Sequence, residues 1–236
     1  MSGEDDLDDL VRRTDPDRWL ASRFVADPAA RADLIALYAF NHELARAAEV
    51  ASQPLIGEMR LAWWREALEE VVEGRPVRRH PVAQAMAEAI PRRALPREAL
   101  EALVDARLRD LDPWPLGPDE AMPYVDATAG RLMALAARIL SPGADPHDLA
   151  EAARAWGLSG LARLGGRLPA DWTPAEARGR VEAALARARG ALKRLPVAAF
   201  PAVAYAALAG PYVRGRSVGG LEARARLVWA SLSGRI

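Results

Sequence analysis

The sequence predicts an all-α fold, and three features support that prediction. Apolar residues recur at intervals of three and four, which is the spacing of one face of an α-helix. No segment alternates apolar and polar residues in the manner of a half-buried strand. The third feature is a capping residue or turn followed by proline, which is typical of a helix start because the first helical N–H needs no partner. It recurs at Asp15-Pro16, Asp27-Pro28, His80-Pro81, Gly117-Pro118, Asp145-Pro146 and Thr173-Pro174.

The helices are expected in chain order from these starts and from the apolar stripes that follow them. Leu34 and Leu37 lie on the stripe of the second helix, and the third helix ends at Gly74. Near the C-terminal third, Glu176 stands three residues after Thr173, which is capping-box spacing. The predicted ranges are 17–26, 29–51, 54–73, 81–90, 96–111, 119–140, 146–163, 174–194, 197–213 and 219–233.

Domain organisation is predicted to be simple. Residues 1–14 are acidic and carry little apolar surface, so they are expected to form a mobile tail. The later loops are short, and no low-complexity linker or fixed-period repeat divides the chain. Residues 15–236 are therefore expected to form a single helical domain.

Composition excludes several classes of protein. The 236-residue chain has no cysteine, which excludes disulfide scaffolds and Cys nucleophiles, and its three histidines are too far apart for a zinc signature. Its 32 basic and 32 acidic residues balance, which argues against a nucleic-acid partner. No apolar run has the length of a transmembrane segment, and the acidic start lacks the features of a signal peptide. We expect a cytoplasmic protein, and peripheral contact with the inner membrane remains open.

An acidic cluster lies at the end of one predicted helix. Asp105, Asp110 and Asp112 lie there beside Arg107 and Arg109. Carboxylates so placed could hold Mg²⁺ together with waters and substrate phosphates. Two of the three are five residues apart, however, which is off the shared-face spacing of three or four, and the arginines would compete as partners. A salt-bridged surface is the favoured interpretation.

A basic cluster occupies a proline-bearing loop. Arg75, Arg78, Arg79 and His80 follow Gly74 there. Such a loop could bind phosphate groups or an anionic lipid surface. It carries no interleaved aromatic residue, so a general contribution to solubility is the favoured interpretation.

Two adjacent tryptophans lie on the third predicted helix. Trp63 and Trp64 point about 100° apart on a helix and are therefore not expected to face the same groove. Trp64 shares a stripe with Leu61 and Leu68 and is predicted to be in the core. Trp63 is a candidate to line a cavity or a contact surface.

Four short blocks occur in order between Asp17 and Trp172. They are Ala36-Leu37-Tyr38-Ala39-Phe40-Asn41, Leu61-Ala62-Trp63-Trp64-Arg65, Leu95-Pro96 with Leu103-Val104-Asp105 and Asp110-Leu111, and Tyr124-Val125-Asp126-Ala127-Thr128-Ala129-Gly130. Together these blocks resemble the squalene/phytoene synthase family. The resemblance implies the isoprenoid-synthase fold, a helical bundle around a central cavity that holds prenyl chains in catalytic members, and hence a link to isoprenoid biosynthesis.

Catalytic members of that family carry two aspartate-rich motifs, whose carboxylates bind Mg²⁺ and through it the substrate diphosphate. The resemblance places the first motif after Phe40, with Ala45 and Arg46 at the positions of the paired aspartates. It places the second after Trp156, where the stretch 157–169 contains no acid. The resemblance therefore implies that both motifs are lost and that no metal cofactor is bound.

The segment Asn41-His42-Glu43-Leu44 resembles the divergent branch of the family that includes the mitochondrial NADH dehydrogenase (complex I) assembly factor. That branch is regarded as non-catalytic. The resemblance implies a pseudoenzyme that binds or helps to assemble a membrane-associated protein partner, or that holds an apolar isoprenoid-like ligand. The alternative is a prenyl (farnesyl or geranylgeranyl) diphosphate transferase, in which Glu43, Glu49, Asp126 and loop arginines would replace the usual Mg²⁺ ligands.

If the bundle is retained, polar residues of several helices should rim its apolar cavity. A buried Glu49 without a metal would need a cation, which Arg46, Arg60 or Arg131 would supply as a plug. The candidate cavity-lining residues are Tyr38, Asn41, Glu43, Arg46, Glu49, Arg60, Trp63, Tyr124, Asp126 and Arg131.

Overall fold

The computed structural model describes residues 3–51 and 53–236, and over these ranges the chain is helical without a β-strand, which confirms the all-α prediction. Two compact units make up the chain, the first up to Pro113 and the second Trp114–Ile236. The single domain expected over residues 15–236 stays a prediction, which limited proteolysis near Pro113 would test. Within the described ranges, no helix combines the length and the apolar character needed to cross a bilayer.

The first unit is built around α3. Its described helices are α1 (Gly3–Thr14), α2 (Pro16–Ser22), α3 (Pro28–Glu49), α4 (Pro54–Val72), α5 (Pro81–Arg93) and α6 (Arg97–Ala106), followed by a 3₁₀ segment (Arg107–Leu111). Helices α1, α2, α4 and α5 all pack against α3. Leu34, Leu37 and Phe40 are completely buried, and each such side chain stabilises the unit by about 1.5–3 kcal/mol.

Residues 3–14 of the expected mobile tail form α1 instead, and residues 1 and 2 lie outside the described residues. Helix α1 packs against α3 and buries Leu7 and Val11, while the carboxylate of Asp8 accepts a hydrogen bond of 2.9 Å from Trp19 Nε1. The prediction was wrong because the net charge of the segment was given more weight than its pattern. Leu7 and Val11 are four residues apart, which places both on one helical face. Acidic residues near a helix N-terminus also stabilise the helix, because they interact favourably with the helix dipole.

The second unit is built around α9. Its helices are α7 (Ala121–Val125), α8 (Arg131–Leu140), α9 (Pro146–Arg163), α10 (Pro174–Ala191), α11 (Ala209–Val213) and α12 (Gly220–Ser233), with a π-helical turn (Asp126–Gly130) between α7 and α8. Helices α10 and α11 pack on α9. Helix α7 lies so close to α9 that position 157 of α9 must be glycine, because a Cβ there would lie 2.5 Å from Val125 Cγ1.

Capping confirms several of the predicted helix starts. Asp27 and Asp145 each accept a hydrogen bond from a backbone N–H two residues later, at 3.0 and 2.9 Å. Thr173 and Glu176 form the expected capping box at the start of α10. Such caps contribute about 1 kcal/mol each and fix where each helix begins.

One predicted helix is largely absent. The segment 197–213 contains two 3₁₀ segments (Val197–Ala202 and Ala204–Leu208) before α11 begins. Pro201 lies within the first of them. Because proline lacks an N–H and its ring clashes with the carbonyl four residues earlier, it prevents a continuous α-helix there.

Candidate functional site

A pocket of about 440 Å³ lies in the first unit, between the C-terminal half of α3, the first half of α4 and the residue that precedes α5. Trp63, Trp64 and His80 contribute aromatic rings to it, and Ile56 and Met59 contribute aliphatic surface. Charged residues of α3 and α4 form the remaining wall. An apolar pocket with a few polar groups is the usual form of a ligand or contact site.

The aromatic wall is a cluster of edge-to-face contacts. The ring centroids of Trp63 and Trp64 are 4.9 Å apart, and the His80 ring lies 5.5 Å from Trp63 and 5.1 Å from Trp64. Trp64 is buried, as predicted, and its other edge meets Phe40 at 5.3 Å. The expectation that the two tryptophans would not face the same groove was wrong, because two indoles in contact present adjoining edges to one pocket.

Arg78 fixes Trp63 from outside the pocket. Its guanidinium lies 4.5 Å from the Trp63 ring centroid, and its Nη1 donates a hydrogen bond of 3.0 Å to the Trp63 carbonyl oxygen. Its Nη2 also donates to Glu70 Oε1 at 2.6 Å. This hydrogen bond raises the pKa of Arg78 and lowers that of Glu70. Arg78 therefore holds α4 in place, a role that neither interpretation of the basic loop included.

The charged wall of the pocket contains one carboxylate. Glu43 lies 3.7 Å from Arg46 in an ion pair, with its side chain 18% exposed. Arg60 also lines the pocket and is exposed. Mg²⁺ prefers several carboxylate and water oxygens in octahedral geometry, so a single carboxylate already paired with a guanidinium does not fit it. Over residues 3–51 and 53–236, no group of three or more acidic or histidine side chains is arranged to hold a metal ion.

Three other candidates of the first unit lie away from this wall. Tyr38 and Asn41 are buried, and the Asn41 side-chain oxygen accepts a hydrogen bond of 2.9 Å from Arg107 Nη2. Glu49 is exposed at the end of α3, and Arg46 pairs with Glu43 rather than with Glu49. The expected plug at Glu49 was therefore wrong. A carboxylate at an exposed helix end is solvated by water and needs no buried cation.

The candidates of the second unit lie on α7, the π-helical turn and α8. Asp126 accepts two hydrogen bonds from Arg154, at 2.9 and 2.8 Å, and this pairing raises the pKa of Arg154 further above its ordinary value. The Tyr124 ring packs edge-on against Trp114 at 5.7 Å. Arg131 is half-buried. That all ten candidates line one cavity stays a prediction.

Two acids of the acidic cluster are paired with arginine, as favoured from sequence. Asp105 forms an ion pair with Arg65, and Asp110 forms one of 3.2 Å with Arg107. Asp110 is buried rather than solvated, with its side chain 4% exposed. The neighbouring arginines therefore take the oxygens that a metal ion would use.

Besides the buried Ala47 and Trp64, three residues that line the pocket were not among the candidates. Ile56 and Met59 are exposed apolar residues on α4, and His80 was interpreted as part of the basic loop and as a helix start, not as a pocket residue. Both apolar residues fall outside the buried stripe that contains Leu61 and Trp64. An apolar residue off the core stripe of an amphipathic helix is the signal that would have found them.

Comparisons with known proteins agree with this fold. The family model of squalene/phytoene synthases matches residues 11–181, well over half of the chain. A solved dehydrosqualene synthase in complex with a ligand superposes with a TM-score of 0.76 at 14% identity, covering 98% of this chain and 95% of that one. Squalene synthase HpnC from Alicyclobacillus acidocaldarius gives a TM-score of 0.70 at 17% identity, covering 98% and 94%.

Curated relatives carry another name. Complex I assembly factor 6 of NADH dehydrogenase (ubiquinone) from Homo sapiens is 34% identical over 105 residues, which are 44% of this chain and 31% of that protein. The Mus musculus protein is 30% identical over 133 residues, or 56% and 39%. The chain thus matches only about a third of the length of these relatives. The family match, together with the all-α isoprenoid-synthase fold, establishes that this chain belongs to the squalene/phytoene synthase family.

Proposed function

We propose that this chain is a non-catalytic member of its family and acts as a binding or assembly factor for a membrane-associated protein partner. The observation that carries the proposal is the charged wall of the α3–α4 pocket. There Glu43 is paired with Arg46, and the residue before Arg46 is Ala45, which has no carboxylate. The curated relatives are named as assembly factors, which supports the proposed assembly role.

The chemistry of prenyl transfer explains why this wall matters. A departing diphosphate needs several positive charges held close to it while an allylic cation forms, and Mg²⁺ ions held by carboxylates normally supply them. One paired carboxylate on α3, together with an acid-free stretch at 157–169, provides no comparable set of ligands. The proposal therefore includes no bound Mg²⁺.

The pocket suits an apolar side chain with an acidic neighbour. Ile56, Met59 and Trp63 offer the apolar surface, while Arg46 and Arg60 at the same pocket would meet a carboxylate of the partner. A helix of a membrane protein that carries one apolar anchor beside an acidic residue has this chemistry. An isoprenoid-like ligand would use the same apolar surface.

The alternative function is that of a prenyl (farnesyl or geranylgeranyl) diphosphate transferase with an atypical site. The two exposed arginines favour it, because guanidinium groups bind phosphate oxygens well without a metal. Under this alternative the chain would release inorganic diphosphate from farnesyl or geranylgeranyl diphosphate, with Mg²⁺ added.

Two experiments test the proposal. In the first, the purified full chain is incubated with each diphosphate and Mg²⁺, and released diphosphate is measured; we expect none above the protein-free rate. In the second, the gene is deleted in the native host, and assembled NADH dehydrogenase is measured on native gels after rescue. Met59→Glu should fail to rescue because it places a carboxylate in the pocket wall. Val72→Glu, at a position on the same helix that is also exposed but lies outside the pocket, should rescue fully.

Either of two results would overturn the proposal. Protein-dependent release of diphosphate, with or without Mg²⁺, would refute the non-catalytic assignment, and recovery of a condensed prenyl product would establish the transferase. Rescue by Met59→Glu as complete as that by Val72→Glu would mean that the pocket takes no part in assembly. Circular dichroism and thermal melting of both variants serve as controls, since both positions are exposed and neither change should affect folding.

A further inference from the structure

A second apolar surface lies on α12, in the second unit. This helix packs inward through Ala223, Leu227 and Ala230, which are buried. The opposite face carries large apolar residues at intervals of four and seven, so they form a continuous stripe along the helix. We call this stripe the α12 face: Leu221, Val228, Trp229 and Leu232.

The α12 face is exposed to an unusual degree for large apolar residues. Leu221 is 81% exposed, Trp229 68% and Leu232 82%. Single exposed apolar residues are normal, whereas a contiguous stripe that includes a tryptophan marks a contact surface. The inward face already supplies the packing that holds the helix to its unit, so the outward stripe is not needed for folding.

Charge around the α12 face is strongly positive. The segment 214–236 contains Glu222 as its sole acid and five arginines. Glu222 pairs with two of them, Arg226 at 2.9 Å and Arg216 at 3.3 Å, and Arg214 pairs with Glu182 of α10 at 2.9 Å. No ion pair of Arg224 is found in the part of the chain that the structure describes. The five arginines are Arg214, Arg216, Arg224, Arg226 and Arg235.

We propose that α12 lies flat on an anionic lipid bilayer, with the α12 face inserted at the level of the headgroups and the arginines on lipid phosphates. A helix with leucine and tryptophan on one face and arginine beside it has the composition of an interfacial helix. Its 14 residues span about 21 Å, too short to cross the hydrocarbon core. Tryptophan prefers the membrane interface, and arginines near an anionic surface strengthen binding.

The positive charge around the α12 face favours an anionic bilayer over a second copy of the chain as its binding partner. A symmetric dimer through the α12 face would bring the same five arginines of both copies together, with only Glu222 and Glu182, the partner of Arg214, to offset them in each copy. An anionic bilayer complements that charge. The inference goes beyond the proposed function, because it concerns the second unit and would hold whether or not the α3–α4 pocket binds a partner.

The test measures binding of the full chain to sedimented vesicles. Phosphatidylcholine mixed with phosphatidylglycerol is compared with phosphatidylcholine alone, and we expect clear binding only to the mixture. Trp229→Ser with Leu232→Ser should weaken binding at least about tenfold, because it removes two inserted side chains. The matched control, Leu164→Ser with Val197→Ser, removes two exposed apolar residues of the same unit outside α12 and should bind normally.

Two further variants separate charge from insertion. Arg224→Gln should weaken binding to the anionic vesicles about fivefold and leave the weak binding to neutral vesicles unchanged. Trp229→Phe keeps the apolar surface, so it should bind normally but lose most of the fluorescence quenching by brominated lipid, although the chain has seven tryptophans.

Several outcomes would overturn the inference. They are failure to bind anionic vesicles, equal loss of binding in the Leu164/Val197 control, and unchanged binding in the Trp229/Leu232 variant. Self-association that rises with protein concentration and disappears in the Trp229/Leu232 variant would instead assign the α12 face to a second copy. Thermal melting of each variant confirms that the fold is intact.

Discussion

The side chain of Asp33 should be among the most important single groups for the stability of the first unit. Its carboxylate is 4% exposed and lies on α3 opposite the last turn of α5. It accepts hydrogen bonds from Arg93 Nε at 2.6 Å and from Arg92 Nη1 at 3.0 Å. The perturbation that tests its role is Asp33→Ala, which removes the acceptor from both guanidinium groups at once.

The magnitude follows from the burial of the three partners. Removing one member of a buried ion pair costs about 3–5 kcal/mol, because the remaining charge is left without a partner. Here Arg92 is 43% exposed and also pairs with Glu88 at 3.2 Å, while Arg93 is 21% exposed and also pairs with Asp27 at 3.5 Å, so neither guanidinium group is left without water or a carboxylate. We therefore expect Asp33→Ala to lower the free energy of unfolding by about 2–3 kcal/mol, which for a chain of this size lowers the Tm by about 4–12 °C.

The assay is chemical and thermal denaturation with a control on the same helix. Glu49 also lies on α3 but is exposed, so Glu49→Ala should change the free energy of unfolding by less than about 0.5 kcal/mol. A double-mutant cycle of Asp33→Ala with Arg93→Ala should give a coupling of about 1 kcal/mol or more. The reasoning fails if Asp33→Ala is as mild as Glu49→Ala, or if the cycle shows no coupling.

Three further predictions concern pH, the N-terminal helix and activity. Arg78 lowers the pKa of Glu70, so this carboxylate stabilises the fold above its unfolded pKa of 4.5 and loses that effect as the pH falls through the folded value. Denaturation should therefore show that Glu70→Gln is most destabilising near neutral pH, with the difference from wild type narrowing in acid. Leu7→Ala should cost about 2–4 kcal/mol and expose residues 3–14 to protease, whereas wild type resists cleavage there. Ala45→Asp with Arg46→Asp should produce no diphosphate release in the assay described above.

Local chemistry made most of the helices predictable. A proline after a capping residue fixes a helix start through its own dihedral angle and the hydrogen bonds of its neighbours, as at Asp27, Asp145 and Thr173. These signals depend on residues close together in sequence, so they do not depend on tertiary contacts with distant parts of the chain.

Side-chain environment was less predictable, since it depends on residues distant in sequence. Glu49 and Glu43 lie six positions apart on one helix, yet only Glu43 reaches the pocket, because α4 and the start of α5 cover that part of α3. The shared pocket of Trp63 and Trp64 depends in the same way on His80, which the chain brings back after a turn. Helical spacing alone specifies a face of the helix but not what covers it.

Arginine side chains occupy the oxygens of two candidate carboxylates. Arg46 pairs with Glu43, and in the other unit Arg154 holds Asp126 through two hydrogen bonds. Guanidinium and Mg²⁺ compete for the same carboxylate oxygens, and a two-point contact with arginine is fixed in geometry as well as charge. Ala45→Asp with Arg46→Asp would release Glu43 from its arginine and supply new carboxylate oxygens on α3. It would still leave the stretch 157–169 without an acid. One cluster of carboxylates does not replace the two that Mg²⁺-dependent diphosphate chemistry uses, which is why this double variant should release no diphosphate.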